Sequence, residues 1–198
     1  MKRTSYHTTF RTIILLASIS VFGSCLKKEN ELKLQDCLVY YPDIILTARD
    51  VVTEHAYTEH DLKKYETIKI DTATGSILYV KYRFNIDDDK NNLHYTIGTM
   101  LSFERNEMAT KSKLELWKTG YDAGMAGNKF KANNLDSIIS FGKESNFAEY
   151  RIGDDLVGYH LVGRTENIVV SYAIVSNHVT HIDLVRLFRK KIEKIESI

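Results

Sequence analysis

Two runs of alternating hydrophobic and polar residues lie near the middle of the chain. In residues 76–86 (SILYVKYRFNI) and again in residues 93–103 (LHYTIGTMLSF), large apolar side chains recur at every second position. Period-two alternation is typical of a strand with one buried face. The polar residues 87–92 between the runs predict a hairpin loop, so the pattern predicts two paired antiparallel strands.

Two other segments carry apolar residues at helical spacing. Residues 107–126 place Leu114, Trp117, Tyr121 and Met125 three or four positions apart, which predicts a helix. The C-terminal segment predicts an amphipathic helix, with Thr180 as its N-cap, Asp183 in the capping position and basic residues mostly off the apolar stripe. That stripe consists of Val185, Phe188, Ile192 and Ile195, helped by Ile182 and Leu184.

Shorter apolar runs predict the remaining strands. Strands are expected at residues 68–70, 147–152, 159–163 and 168–175, and the last has so few polar residues that it is predicted to be central. The pattern as a whole predicts an α+β fold: an antiparallel β-sheet with helices packed on one face, including the C-terminal amphipathic helix.

Two further segments are predicted to be extended. Residues 36–46 (DCLVYYPDIIL) predict an edge strand broken at Pro42, because proline cannot donate to a strand ladder. Residues 135–140 predict a short extended segment.

The C-terminal strand and helix allow a comparison with known folds. Residues 163–170 (GRTENIVV), followed by the terminal helix, resemble the final hairpin and helix of some small bacterial lipoproteins, several of which adopt the PsbP-like α/β/α fold of photosystem accessory proteins. The resemblance covers only about the last forty residues. It concerns the fold, and it implies no specific activity.

A basic segment, an apolar run and a cysteine precede the predicted domain. Residues 12–22 (TIILLASISVF) are apolar or weakly polar, and the small residues Gly23 and Ser24 stand before Cys25. This order predicts a secretory signal peptide. As a helix the run spans roughly 17 Å, at about 1.5 Å per residue. It is therefore short for a bilayer core of about 30 Å.

The sequence Val21-Phe22-Gly23-Ser24-Cys25 resembles the lipobox of bacterial lipoproteins, although Phe22 replaces the usual aliphatic residue. The resemblance implies cleavage before Cys25, a lipid on its thiol and an anchor in a membrane. An ordinary secreted protein cleaved after Gly23 and an uncleaved anchor are the alternatives. The residue after the cysteine is Leu26 and not the aspartate that retains many lipoproteins at the inner membrane, which implies an outer-membrane location in the cell envelope.

These boundaries divide the chain into a signal peptide (1–24), a lipidated cysteine with a polar tether (25–35) and a single α+β domain (36–198). The chain has 27 basic and 26 acidic residues, and the signal segment contains three of the basic ones and no acidic one, so the mature formal charge is −2. That balance argues against a general nucleic-acid binder. If Cys25 carries lipid, Cys37 is left unpaired, and its apolar flank predicts burial.

A metal site is the first candidate for chemistry. Glu54, His55 and His60 lie in a repeated Thr-Glu-His sequence that could bind a divalent cation. However, two histidines five residues apart point about 140° apart on a helix, and on a strand they also face opposite ways. A solvated polar segment is therefore favoured, and no metal or other cofactor is expected.

Three weaker candidates for ligand binding or recognition also have ordinary structural explanations. Residues 87–92 (DDDKNN) alternate oxygen ligands as a calcium loop does, but they lack its glycine and its final glutamate, so a polar turn is favoured. His178 and His181 could join His160 as ligands, but surface positions at a helix entrance are favoured. Tyr79, on the outer face of its strand, could belong to a recognition surface, although tyrosine is also common in sheets.

No nucleophile, nucleotide-binding or phosphate-binding motif is visible in the chain. The sequence therefore predicts a membrane-anchored envelope lipoprotein whose domain is a non-catalytic binding module for a protein or cell-wall partner. An immunity-type lipoprotein that blocks a toxin is one specific version. The alternative is an envelope hydrolase or metal-dependent enzyme that uses Glu54, His55 and His60.

Overall fold

The structure, a computed structural model, describes residues 32–51, 62–72, 75–88, 93–126, 130–176 and 181–198. The described strands form one antiparallel sheet of seven strands in the order β1-β2-β3-β7-β6-β5-β4. The strands are β1 (Glu66–Asp71), β2 (Leu78–Asp88), β3 (Leu93–Phe103), β4 (Lys131–Asn134), β5 (Glu144–Ile152), β6 (Asp155–Arg164) and β7 (Ile168–Ser176). The described helices are α1 (Leu34–Ile44), α2 (Ala48–Val51), α3 (Glu107–Ala126) and α4 (His181–Glu196). The predicted α+β fold with an antiparallel sheet is confirmed.

The predicted hairpin is present, with the predicted apolar faces buried. Strands β2 and β3 pair from Leu78 opposite Phe103 to Asp88 opposite Leu93. The alternating apolar side chains, including Val80, Phe84 and Ile97, are buried in the main core. Strand β7 takes the fourth of seven places in the sheet, and its predicted central position is confirmed.

Helices cover both faces of the sheet, so the prediction that they pack on one face was wrong. Helices α1 and α4 share the main core with β2, β3 and β7. On the opposite face, Leu114 of α3 packs with Val162 and Val169. Because β6 and β7 bury neighbouring residues, both of their faces need a cover, and α3 supplies the second one.

The first helix, α1, occupies most of the segment that was predicted to be an edge strand. Cys37, Tyr41 and Ile44 are spaced four and three residues apart, which places them on the helix face that packs on the core. Pro42 lies in the last turn, where a missing N–H removes a single helical hydrogen bond. The N–H of Ile45 still closes that turn by donating to Tyr41 O at 3.0 Å. Helical spacing therefore outweighs the proline in this segment.

The prediction of an extended segment at residues 135–140 was wrong, and the strand in this part of the chain precedes it. Strand β4 pairs Lys131 with Arg151 of β5 and ends at Asn134. Residues 136–138 then form a turn, in which the Asp136 carboxylate accepts the Phe147 N–H at 2.5 Å. This hydrogen bond ties the turn to β5 where the apolar pattern predicted an extended segment.

Candidate binding groove

A groove of about 760 Å³ opens between the end of α1, the first two strands and α4. We call this cleft the α4 groove. Its apolar floor consists of Pro42, Ile45, Ile68 and Tyr82. Its charged wall consists of Asp43, Arg49, Asp50, Lys63, Glu66, Lys190, Lys191 and Lys194. The volume lies in the range typical of small-molecule pockets, about 300 to 1,000 Å³.

Tyr82 fixes the floor of the α4 groove. The alternation of β2 turns its ring into the core, and only its hydroxyl reaches polar groups. That hydroxyl accepts the Ala48 N–H at 2.7 Å and donates to Glu66 Oε1 at 2.8 Å. Burial raises the pKa of Tyr82 far above its ordinary value, so the hydroxyl stays protonated and keeps its donor role.

Asp50 organises the charged wall. Its Oδ2 atom accepts hydrogen bonds from the Thr47 N–H at 2.9 Å and the Thr47 hydroxyl at 3.0 Å. The same oxygen lies 3.1 Å from Nζ of Lys191, and that ammonium also donates to Asp43 O at 3.3 Å. The wall is therefore a set of mutually bonded groups that holds α4 against the end of α1.

The lining of the α4 groove carries a positive surplus. It contains five cationic side chains against three carboxylates. Asp43 faces Lys194 at 3.7 Å, Asp50 faces Lys191 and Glu66 accepts from Tyr82, so each carboxylate already has a partner. Lys190 is exposed and has no ion-pair partner among the described residues. An apolar floor beside the exposed Lys190 ammonium suits a ligand that combines an apolar group with negative charge.

The structure does not describe the residues that the sequence offered as the first candidates for chemistry. Cys25, Glu54, His55 and His60 fall outside the described residues. In the part of the chain that the structure describes, no cluster of three or more histidine, cysteine or carboxylate side chains is placed to hold a metal ion. Of the predicted hairpin loop, Asp87 is still in β2 and pairs with Nδ1 of His94 at 2.5 Å.

His160 is buried beneath α3. Its Nε2 lies 2.8 Å from the Ser171 hydroxyl, and its ring stacks on that of Tyr121 with centroids 3.6 Å apart. Burial lowers the pKa of His160 to about 3, so the ring is neutral at physiological pH. His178, which was considered as a second ligand beside it, lies outside the described residues. The contacts of His160 itself place it in the packing between α3 and the sheet.

Tyr79 is half-buried, and it packs against another aromatic ring. The rings of Tyr79 and Trp117 have centroids 6.3 Å apart, so α3 covers the sheet face on which Tyr79 was considered as part of a recognition surface. Burial raises its pKa. Tyr79 therefore contributes to the packing of α3 on the sheet.

Cys37 is fully buried and free, which confirms the predicted burial. Burial and the neighbouring Asp36 carboxylate raise the pKa of its thiol to about 11. Such a thiol is protonated at neutral pH and reacts slowly.

The sequence reasoning missed the groove residues. Lys190, Lys191 and Lys194 were grouped with the basic residues off the apolar stripe. A signal was present for Lys191, which lies three residues after Phe188 and four before Ile195. That spacing places its stem beside the buried stripe.

The comparisons with known proteins leave the family of this chain open. No family model matches the chain, and no curated protein matches it. Among solved structures, the extracellular domain of PknH from Mycobacterium tuberculosis is similar, with a TM-score of 0.41 and 9% sequence identity. The match covers 64% of this chain and 68% of that chain. A likeness at this level carries no inference about function.

Within the described residues, none of the helices combines the length and the apolar character needed to cross a bilayer.

Proposed function

We propose that this chain is an envelope lipoprotein, held to a membrane by lipid on Cys25, whose folded domain binds a partner without catalysing a reaction. The anchor is supported by the order of basic residues, an apolar run, Gly23-Ser24 and Cys25. Each buried methylene contributes about 0.8 kcal/mol of membrane affinity, so two or more acyl chains give stable attachment.

The observation that carries the binding role is the α4 groove. It joins an apolar floor to a wall in which every carboxylate already has a partner and Lys190 has no ion-pair partner among the described residues. These features favour recognition of a protein or cell-wall component that presents apolar and anionic groups together. A bonded wall is also preorganised, and less ordering is then needed when a partner binds.

The anchor is tested by metabolic labelling with palmitate. We expect Cys25→Ala to abolish labelling and Cys37→Ala, the matched cysteine control, to keep it. Labelled protein in the Cys25→Ala variant would contradict the lipid assignment. The proposed outer-membrane location rests on Leu26, and we expect Leu26→Asp to move the protein to the inner-membrane fraction.

The binding role is tested by capture of envelope components on the immobilised full chain. We compare the wild type with Lys190→Glu, which reverses an exposed charge in the α4 groove. Arg186→Glu is the control, because it reverses an exposed charge on the same helix outside the groove. A component retained by the wild type and by Arg186→Glu, and lost from Lys190→Glu, supports the groove. Equal retention by all three proteins would contradict it.

A further inference from the structure

Among the strands that the structure describes, β1 stands at one edge of the sheet. It pairs with β2 on one side only. The N–H of Asn85 donates to Tyr65 O, which identifies the pair of residues 65 and 85 as hydrogen-bonded. Because such pairs alternate along an antiparallel ladder, Thr67, Lys69 and Asp71 bond to β2. The backbone N–H and C=O groups of Glu66, Ile68 and Ile70 therefore point outward, along the open edge.

The two faces of β1 differ in chemistry. On the side of the α4 groove, Ile68 and Ile70 stand two residues apart, and they are 49% and 45% exposed. Thr67, Lys69 and Asp71 turn to the other face. No described residue pairs with the outward backbone groups of Ile68 or Ile70.

The other face of this edge carries three cations and the carboxylate of Asp71. Lys69 lies directly opposite Lys81 of β2, and Arg83 lies opposite Thr67. All three cations are exposed, and none has an ion-pair partner among the described residues. Like charges directly opposite each other destabilise a strand pair. An acidic side chain placed beside Lys69 would relieve that repulsion.

We propose that β1 is the docking edge for an extended segment of a partner protein in which apolar and acidic residues alternate. This inference rests on the proposed binding function and specifies the chemistry of the partner. An added strand would pair with the outward groups of Ile68 and Ile70. Its apolar side chains would lie beside these isoleucines and its carboxylates beside Lys69, with Lys81 one strand further into the sheet. A second copy of this chain would bring the same three cations to the interface, so charge complementarity favours an acidic partner.

The test uses the full chain in detergent and a labelled eight-residue peptide of alternating Val and Glu. Fluorescence anisotropy measures its affinity, with a peptide of alternating Val and Lys as the control. We expect saturable binding of the Val/Glu peptide, at least tenfold tighter than the control and weaker at high salt. Lys69→Glu should reduce the affinity at least tenfold, whereas Arg186→Glu should leave it unchanged.

Hydrogen exchange separates strand addition from side-chain contact alone. The peptide should slow exchange at the outward amides of Ile68 and Ile70, while the Lys69 amide, already bonded to β2, changes little. Ile70→Pro removes one outward N–H and leaves the ladder to β2 intact, and we expect it to abolish binding. Ile70→Thr, which keeps that N–H, should retain most of it. Unfolding midpoints establish that both variants remain folded.

Three results would overturn the inference. These are equal binding of the two peptides, binding without protection of Ile68 and Ile70, and sedimentation showing that the free protein is already a dimer dissociated by Ile70→Pro. If envelope capture still depends on Lys190 while the Val/Glu peptide fails to bind, the edge inference fails and the groove proposal stands. If the peptide binds as expected and envelope capture is insensitive to Lys190, the groove proposal fails and the edge inference stands.

Discussion

The ammonium group of Lys191 lies 3.1 Å from Oδ2 of Asp50, and this ion pair joins the C-terminal helix to the segment that follows α1. The Lys191 side chain is 10% exposed and that of Asp50 is 24% exposed. The pair is therefore largely shielded from solvent. Loss of one partner leaves the other charge poorly solvated, which is the main cost of breaking such a pair.

We predict that Asp50→Ala destabilises the fold by about 2 to 3 kcal/mol, because the buried Lys191 ammonium loses its carboxylate. Lys191→Met should cost less, since Asp50 keeps its hydrogen bonds from Thr47. Urea denaturation measures both changes. The double variant should be more stable than the sum of the single losses predicts, because the two groups are coupled.

Lys190→Met is the matched control for this pair. Lys190 is the neighbouring lysine and is exposed, so we expect its loss to change stability by no more than about 0.5 kcal/mol. If Lys190→Met and Lys191→Met are equally destabilising, the ion pair contributes nothing specific.

The pattern of apolar and polar residues predicted those elements that have one buried face and one exposed face. The hairpin of β2 and β3 was correct in its pairing and in its buried face, because alternation by itself fixes which side chains turn inward. Segment 36–46 was misassigned because Pro42 dominated the interpretation. Its helical spacing of Cys37, Tyr41 and Ile44 was the stronger signal, since a proline in the last turn removes only one bond.

The groove could not be predicted from local pattern. Pro42, Tyr82 and Lys190 come from three distant segments, and only the tertiary fold brings them together. The sequence also did not predict which helices cover each face of the sheet. A run such as residues 168–175 shows that both faces are buried, but it does not say which helix lies on which face.

Cys37 should be unreactive in the folded protein. Burial and Asp36 raise the pKa of the Cys37 thiol to about 11, so little thiolate is present at neutral pH. We expect a thiol reagent to modify a Cys25→Ala chain at least a hundredfold faster in urea than in buffer. Rapid labelling of the native protein would show that Cys37 is accessible, contrary to its buried position.

Strands β6 and β7 approach each other so closely at Gly158 that a side chain does not fit there. A Cβ atom at this position of β6 would fall on the carbonyl oxygen of Ile174 in β7. We predict that Gly158→Ala destabilises the fold by about 1 to 3 kcal/mol through the backbone shift it forces. Thermal or urea unfolding gives the value.

Gly98→Ala is the matched strand control. The nearest atom to its added Cβ would be Ala173 Cβ at 4.0 Å, an ordinary contact. Because alanine loses less backbone entropy on folding, we expect this change to be neutral or to stabilise by up to about 1 kcal/mol. Similar losses in the two variants would contradict the steric explanation.

The stability of the fold should depend on pH through His160. Burial lowers the pKa of His160 from 6.5 to about 3, so the unfolded chain binds a proton there more readily than the folded chain. The stability due to the neutral ring is therefore complete above pH 6.5 and declines as the pH falls toward 3. The decline is at most about 1.4 kcal/mol per pH unit.

The measurement is the free energy of unfolding between pH 7 and pH 5 for the wild type and for His160→Gln, which keeps a polar partner for Ser171. This window lies above the range of Glu107 and Glu144, whose pKa values are lowered from 4.5 by Lys143 and Lys118 respectively. We expect the wild type to lose stability on acidification by about 2 kcal/mol more than the variant. Parallel pH profiles would show that His160 gains a proton as easily in the folded chain as in the unfolded one, which its burial beneath Tyr121 argues against.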